Sequence, residues 1–314
     1  MQQSRRPLPS GSIGRVKIAV TGASGLIGKA LVPALVADRH EVVRLVRRPA
    51  TGPGERTWDP ASRHLDPQTL ADVDAVVHLA GAGVADHRWT DAWKAQVVAS
   101  RLDGTTAVAH AVARPGGPRV LLSASAIGYY GDTGDRPTDE TGASGEGFLA
   151  DVCRQWEAAT APAEDAGVRV VHLRTGIVLD RTGGALATQL PLFRARLGAP
   201  LGTGYQWTSW ISMRDEVDAI RHCLRAQVSG PVNLVGPAPV RNREFTKTLG
   251  RVLGRLTLPV PVPAAVLRTA LGQFADEGVL IGQRLTPAVL AASGFSFTHR
   301  DLDSALRSAL HDAA

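Results

Sequence analysis

Two groups of residues in the first fifty positions have the types and spacing to hold a dinucleotide. In "VTGASGLIG" (20–28), Gly22, Gly25 and Gly28 follow an apolar run and open a helical pattern. So tight a turn calls for a residue without Cβ, a pyrophosphate must approach bare backbone, and a helix N-terminus supplies aimed N–H groups with partial positive charge. The expected cradle is Thr21, Gly22, Ser24, Gly25, Leu26, Ile27 and Gly28. About twenty residues on, where an acid would take the ribose 2′-hydroxyl, stand Arg47 and Arg48 in "RLVRRP". Guanidinium groups at that point pair with a 2′-phosphate through forked, charge-assisted hydrogen bonds, which favours NADP(H) over NAD(H).

A second group lies further along, in "SASAIGYYGD" (123–132): Ser125, Tyr129 and Tyr130 follow an apolar run. The end of such a strand is where a parallel sheet presents groups to a ligand, so a hydroxyl there is a candidate proton donor. Arg101, if it faces the same cleft, would favour the phenolate form of either tyrosine. Trp89 and Trp93, four apart at a helix start, are expected to pack together, and Trp207 and Trp210 to wall the cleft. Asp139 and Glu140 are expected to fix a loop over it, and Asp215 to sit at a helix start. Nine histidines show no H-x-x-x-H and no His/Cys pairing, so no metal is expected.

The elements that must position these residues follow from the hydrophobic pattern. "VKIAVTG", "HEVVRLVRR", "VDAVVHLAG", "RVLLSASA" and "VRVVHLRTG" are apolar nearly throughout, and helical patterns alternate with them. Strands buried on both faces and joined by helices make a doubly wound parallel sheet of Rossmann type. The expected organisation is a flexible leader over 1–14 and a dinucleotide-binding domain over 15–180, with a returning segment at 205–236. A smaller C-terminal substrate lobe is expected from 181–204 and 237–314. A net charge of +6 arises from arginines scattered along the chain without a basic run, which argues against nucleic acid. Two cysteines, Cys153 and Cys223, make neither a disulfide framework nor a zinc site. With no signal peptide and no apolar run of membrane length, the expectation is a cytoplasmic monomer or homodimer acting on a small molecule.

With "TGASGLIG", "HLAGAGVADHRWT", "SRLDGT", "SASAIGYYGD", "FLADVCRQWE", "LRTGIVL", "WISMRDEVDAI" and "GQRLTPAVLAASGFSF", the chain resembles the extended short-chain dehydrogenases/reductases of the NAD-dependent epimerase/dehydratase superfamily. Within them it is similar to an atypical epimerase-like subgroup that ends in a small domain of unknown function. The resemblance implies that Leu79, Ala80 and Gly81 pass the cofactor, that Ser125 bonds a substrate oxygen, and that Arg174 and the segment after it line the nicotinamide end. It also implies a Tyr-x-x-x-Lys pair, which is missing. Thr133, Gly134 and Ser209 stand four after Tyr129, Tyr130 and Tyr205, and the aligned positions hold Leu149 and Cys153. The family's asparagine appears as Arg101, which is thereby a candidate for both the cofactor and the chemistry. A tyrosine near its reference pKa of about 10 is ionised only about one part in a thousand at pH 7. Two readings follow: an oxidoreductase or epimerase using hydride transfer with altered residues, or a catalytically reduced NADP(H)-binding sensor or scaffold.

Overall fold

The computed structural model describes residues 15–311, so the expected leader lies outside the described residues. Seven parallel strands form the central sheet: β1 (Lys17–Thr21), β2 (Glu41–Val46), β3 (Glu55–Thr57), β4 (Ala75–His78), β5 (Val120–Ala126), β6 (Arg169–Thr175) and, after three short strands, β10 (Gly230–Leu234). The three short ones are β7 (Ile177–Leu179), β8 (Trp207–Thr208) and β9 (Trp210–Ser212). The order across the sheet, β10-β6-β5-β4-β1-β2-β3, reverses direction between β1 and β4. That reversal opens a crevice at the strands' C-terminal ends, where ligands of doubly wound sheets bind. The fold is the expected Rossmann-type sheet.

Both faces are covered. Helices α1 (Leu26–Ala37) and α6 (Met213–Arg225) bury Leu31, Leu35, Val217 and Ile220 against Ile18, Val20, Leu122 and Leu173. On the other face α2 (Asp91–Val112) and α4 (Ala161–Asp165) bury Ala107, Val108 and Ala163 against Ala19, Val76 and Leu121, and α3 (Phe148–Ala158) lies beside α2. Each strand side chain alternates between these two layers, so near-continuous apolar sequence is required. Thr90 caps α2, its Oγ1 accepting from Trp93 N at 3.2 Å.

A second core lies further along the chain. Here α5 (Gly184–Arg194), α7 (Asn242–Val252) and α10 (Leu302–His311) bury Leu190, Phe193, Phe245, Leu249 and Leu306 around Trp210. Strand β7 pairs with β9, and β11 (Val240–Arg241) pairs antiparallel with β8. Helices α8 (Ala264–Leu271) and α9 (Ala288–Ala292) complete this part of the chain.

Asp215 is buried rather than a plain helix-start acid: Ser212 caps α6, and Asp215 accepts from Thr298 N and His299 N at 2.7 and 3.0 Å. Beside it Glu216 is fully buried, takes a 2.9 Å hydrogen bond from Thr175 Oγ1, and is pushed by burial up to about 8. In the unfolded chain its carboxyl titrates near 4.5. Between these values the unfolded state has lost the proton and the folded state keeps it, so stability falls as pH rises from 4.5 to 8. Glu216→Gln is therefore expected to match the wild type near pH 4 and to exceed it progressively up to pH 8 in urea unfolding. A gain that does not change with pH would contradict this.

Candidate functional site

The turn after β1 is held by a buried hydrogen-bond chain. Thr21 Oγ1 accepts from Leu79 N at 3.0 Å and Ala80 N at 3.1 Å. Both lone pairs are then used, so its O–H donates to His78 Nδ1 at 2.8 Å. His78 must carry its proton on Nε2, which donates to Thr105 Oγ1 at 3.1 Å; that oxygen also accepts from Trp156 Nε1 at 2.9 Å. Burial pushes His78 down to about 4, so the ring is neutral. These bonds pin β1, β4, α2 and α3 to one another and press the Leu79–Ala80 backbone against Gly22.

That approach decides the glycines. Gly22 has φ +66°, and a Cβ on it would stand 2.7 Å from Leu79 C and 2.9 Å from Ala80 N. A Cβ on Gly28 would lie 2.2 Å from Gly22 O. Gly25, at φ −75°, is the N-cap of α1, and its N–H donates to Gly22 O at 2.9 Å. The result is a backbone-walled hollow at a helix N-terminus, which fits a pyrophosphate.

An open cleft of about 870 Å³ runs over this hollow, lined by Gly22, Ser24 and Gly25, by Leu79, Ala80 and Gly81, and by Arg47 and Arg48 at one end. Leu26 and Ile27 do not line it: Leu26 lies under Gly183, and Ile27 packs on the sheet core. The two arginines differ. Arg48 makes a forked pair with Glu55 (2.8 and 2.8 Å), which Arg44 joins at 3.1 Å. Arg48 and the Thr51 backbone and hydroxyl hold Glu55 down to about 2. Arg47 is exposed and makes no pair among the described residues. Three guanidinium groups against one carboxylate leave this end of the cleft positive. Sequence reading missed Arg44 and Glu55; Arg44 lies on β2 itself and Arg48 just beyond its end, and Glu55 is what brings them together.

Ser125, Tyr129, Tyr130 and Arg174 come together, but around a residue the sequence did not flag. Ser125 and Arg174 are register partners on β5 and β6. Glu157, on α3, accepts from Arg174 Nε and NH2 at 2.8 Å each and from Ser125 Oγ at 2.7 Å. Arg174 NH1 donates to Tyr130 OH at 2.9 Å, and Tyr130 OH donates to Asn233 Oδ1 at 2.7 Å. Burial works against the charge on Arg174, and the forked pair with Glu157 outweighs it and raises its pKa. Burial pushes Tyr130 up to about 12. Ser125 and Tyr130 are thus buried and spent on this network. The Tyr129 ring stacks on Arg174, 3.5 Å from the guanidinium carbon, and its hydroxyl makes no hydrogen bond among the described residues. The cation at the tyrosines is Arg174; Arg101 lies elsewhere, beneath Gly81 and over the Trp156 ring at 4.9 Å.

Leu149 and Cys153 both back Gly128, and Cys153 donates to Ala126 O at 3.7 Å with its thiol pushed by burial up to about 11. A smaller cavity of about 380 Å³ opens there, lined by Gly128, Gly131 and Leu149 with the carboxylates of Asp132, Glu146 and Glu277. Glu277 accepts from Leu149 N at 2.9 Å, tying the C-terminal part of the chain to α3. Trp89 packs on Phe148 and Phe274 rather than on Trp93, which meets His87. Trp210 is core, bonded to Ala238 O, while Trp207 is held between Arg241 and Arg284. Neither lines a cavity described above. Glu140 anchors Asn233 N and Val289 N, and Asp139 caps its own turn at Thr141.

Residues 18–236 match the model of the NAD dependent epimerase/dehydratase family, and 262–309 match a domain of unknown function, DUF1731. "Epimerase family protein Mb2239" of Mycobacterium bovis is 49% identical over 290 residues, covering 92% of this chain and 96% of that protein. The crystal structure of human epimerase family protein SDR39U1 (isoform 2) with NADPH superposes with a TM-score of 0.86 at 34% identity, over 95% of this chain and all of that one. A nucleoside-diphosphate sugar epimerase from Corynebacterium glutamicum follows at a TM-score of 0.79 and 37% identity, over 95% of this chain and 58% of that one. The glycine hollow, the parallel sheet that frames it and these matches lead to one conclusion: the chain belongs to the NAD-dependent epimerase/dehydratase family, with a C-terminal DUF1731 domain.

Proposed function

We propose that the protein is an NADP(H)-dependent oxidoreductase or epimerase that uses hydride transfer on a small or nucleotide-linked substrate. The observation that carries the reading is the hollow at Gly22 and Gly28, closed to any Cβ and continued by a cleft with an arginine-rich end. A similar human protein was solved with NADPH, which supports the choice of cofactor. When bound, the cofactor would supply or accept the hydride. The chain's own residues would hold its phosphates at the α1 N-terminus and its 2′-phosphate at Arg47, with Arg44 and Arg48 preset by Glu55. Arg47→Asp is expected to weaken NADPH binding by roughly tenfold or more, the scale of a lost charge-assisted pair, and to leave NADH nearly unchanged. Calorimetry checks this; equal losses for both cofactors would contradict it.

For the chemical step, Tyr129 is the remaining proton-donor candidate. Its hydroxyl is unspent and Arg174 lies against its ring, whereas Ser125 and Tyr130 act through position. The buried network around Glu157 also favours the second reading, a cofactor-binding sensor or scaffold, because it ties up two hydroxyls at the strand end. Screening aldehydes, ketones and nucleotide sugars with NADPH separates the two. On any substrate found, Tyr129→Phe should cost roughly 100-fold in turnover, the usual scale for general acid help. Tight NADPH binding with no turnover across the panel would favour the sensor.

A further inference from the structure

Among the described residues two arginines are buried, Arg101 and Arg174, and they are treated oppositely. Arg174 has its forked carboxylate. Arg101 is 9% exposed, makes no ion pair among the described residues, and donates one hydrogen bond, from NH1 to Val97 O at 3.1 Å. A guanidinium withdrawn from water without a counter-ion is costly, and burial here draws its pKa down. Asp86 and Cys153 act on it electrostatically without pairing, and the Cys153 thiol is itself kept neutral. Several of its N–H donors are therefore unspent.

Its location sets the charge close to the larger cleft. A Cβ on Gly81 would lie 3.6 Å from Arg101 Cγ and 3.7 Å from its guanidinium carbon, and Gly81 lines the larger cleft. Cys153, on the other flank, backs Gly128, which lines the smaller cavity. Arg101 thus lies behind Gly81, one layer back from the wall of the larger cleft and over the Trp156 ring, just past the C-terminal end of β4. Arg47 and Arg48 stand on the opposite side of the reversal point, at the end of β2. A dinucleotide with its pyrophosphate at the β1 turn and its 2′-phosphate at β2 sends its nicotinamide half over β4 toward β5.

We propose that Arg101 makes the site discriminate the oxidation state of the cofactor, holding NADPH more tightly than NADP⁺. This rests on the NADP(H) reading. The oxidised nicotinamide ring carries a positive charge that the reduced ring lacks, and a nearby guanidinium with no ion-pair partner repels only the former. At intermediate dielectric one such charge pair several ångströms apart is worth roughly tenfold in affinity or more. Occupancy then follows the ratio of reduced to oxidised cofactor, and the bound couple is shifted toward its reduced form.

The test is calorimetric titration of the full chain with NADPH and with NADP⁺ separately, at one ionic strength, on the wild type and on Arg101→Gln, Arg101→Met, Arg101→Lys and Arg47→Gln. The wild type should favour NADPH by roughly tenfold. Arg101→Gln and Arg101→Met should bring the ratio to within about twofold, and Arg101→Lys should keep it. Arg47→Gln should weaken both forms alike, since its distance and exposure leave it screened from the ring. Because Arg101 has no buried partner to orphan, the neutral variants should fold with unchanged or higher Tm. An unaltered ratio in both neutral variants, or a wild-type ratio near one, would overturn the proposal. Binding of neither form would instead remove the cofactor reading itself.

Discussion

Gly22→Val is expected to abolish NADP(H) binding while leaving a cooperatively folding protein. The new Cβ would sit 2.7 Å from Leu79 C, and the backbone at φ +66° is a conformation that a β-branched residue rarely adopts. The β1 turn must therefore open, and the N-terminal end of α1 is displaced from the hollow. Losing two hydrogen bonds to a charged pyrophosphate costs roughly 3 kcal/mol or more, which is at least about 100-fold in affinity. Stability should fall by about 1–3 kcal/mol, the usual scale of such strain. Cofactor titration with thermal unfolding checks both; unchanged binding with a normal transition would show that the hollow is not the phosphate site.

Glu157→Ala is expected to be the most destabilising single change in the site, by about 3–5 kcal/mol, because it leaves the Arg174 guanidinium buried and uncompensated. The Arg174 side chain is 4% exposed and Glu157 satisfies three donors, so no water-filled alternative replaces the carboxylate. With an unfolding entropy near 2 cal/mol/K per residue, that loss lowers Tm by roughly 5–8 °C in a chain of this size. Adding Arg174→Met should recover part of it, since the orphaned charge is then gone. Urea unfolding of the single and double variants measures the coupling; a cost below about 1 kcal/mol for Glu157→Ala would show that the pair does not hold the strand ends together.

The two halves of the site differ in how far they could be read from the sequence. The β1 turn was legible because its determinants are local: an apolar run, glycines at fixed offsets and a helix start, all within Val20 to Gly28. The Glu157 network was not, because it joins β5, β6, β10 and α3, and nothing in a helical acid announces that it will face a strand-borne arginine. Arg47 and Arg48 look equivalent in sequence, and only Glu55 separates them. Glu55 belongs to the three-residue edge strand β3, too short to leave a periodic signature. Likewise Arg101 and Arg174 both carried plausible roles, but which one would meet the tyrosines depended on how α2 packs, burying Arg101 against Trp156 and Gly81.

The central claim, that the cleft over Gly22 is a site for a 2′-phosphorylated nicotinamide dinucleotide, is tested most directly by calorimetric titration of the purified protein with NADPH and with NADH under identical salt. One site per chain, with NADPH at least about tenfold tighter than NADH and the heat abolished in Gly22→Val, is the predicted result. Equal affinities for the two cofactors, or binding that survives Gly22→Val, would contradict it.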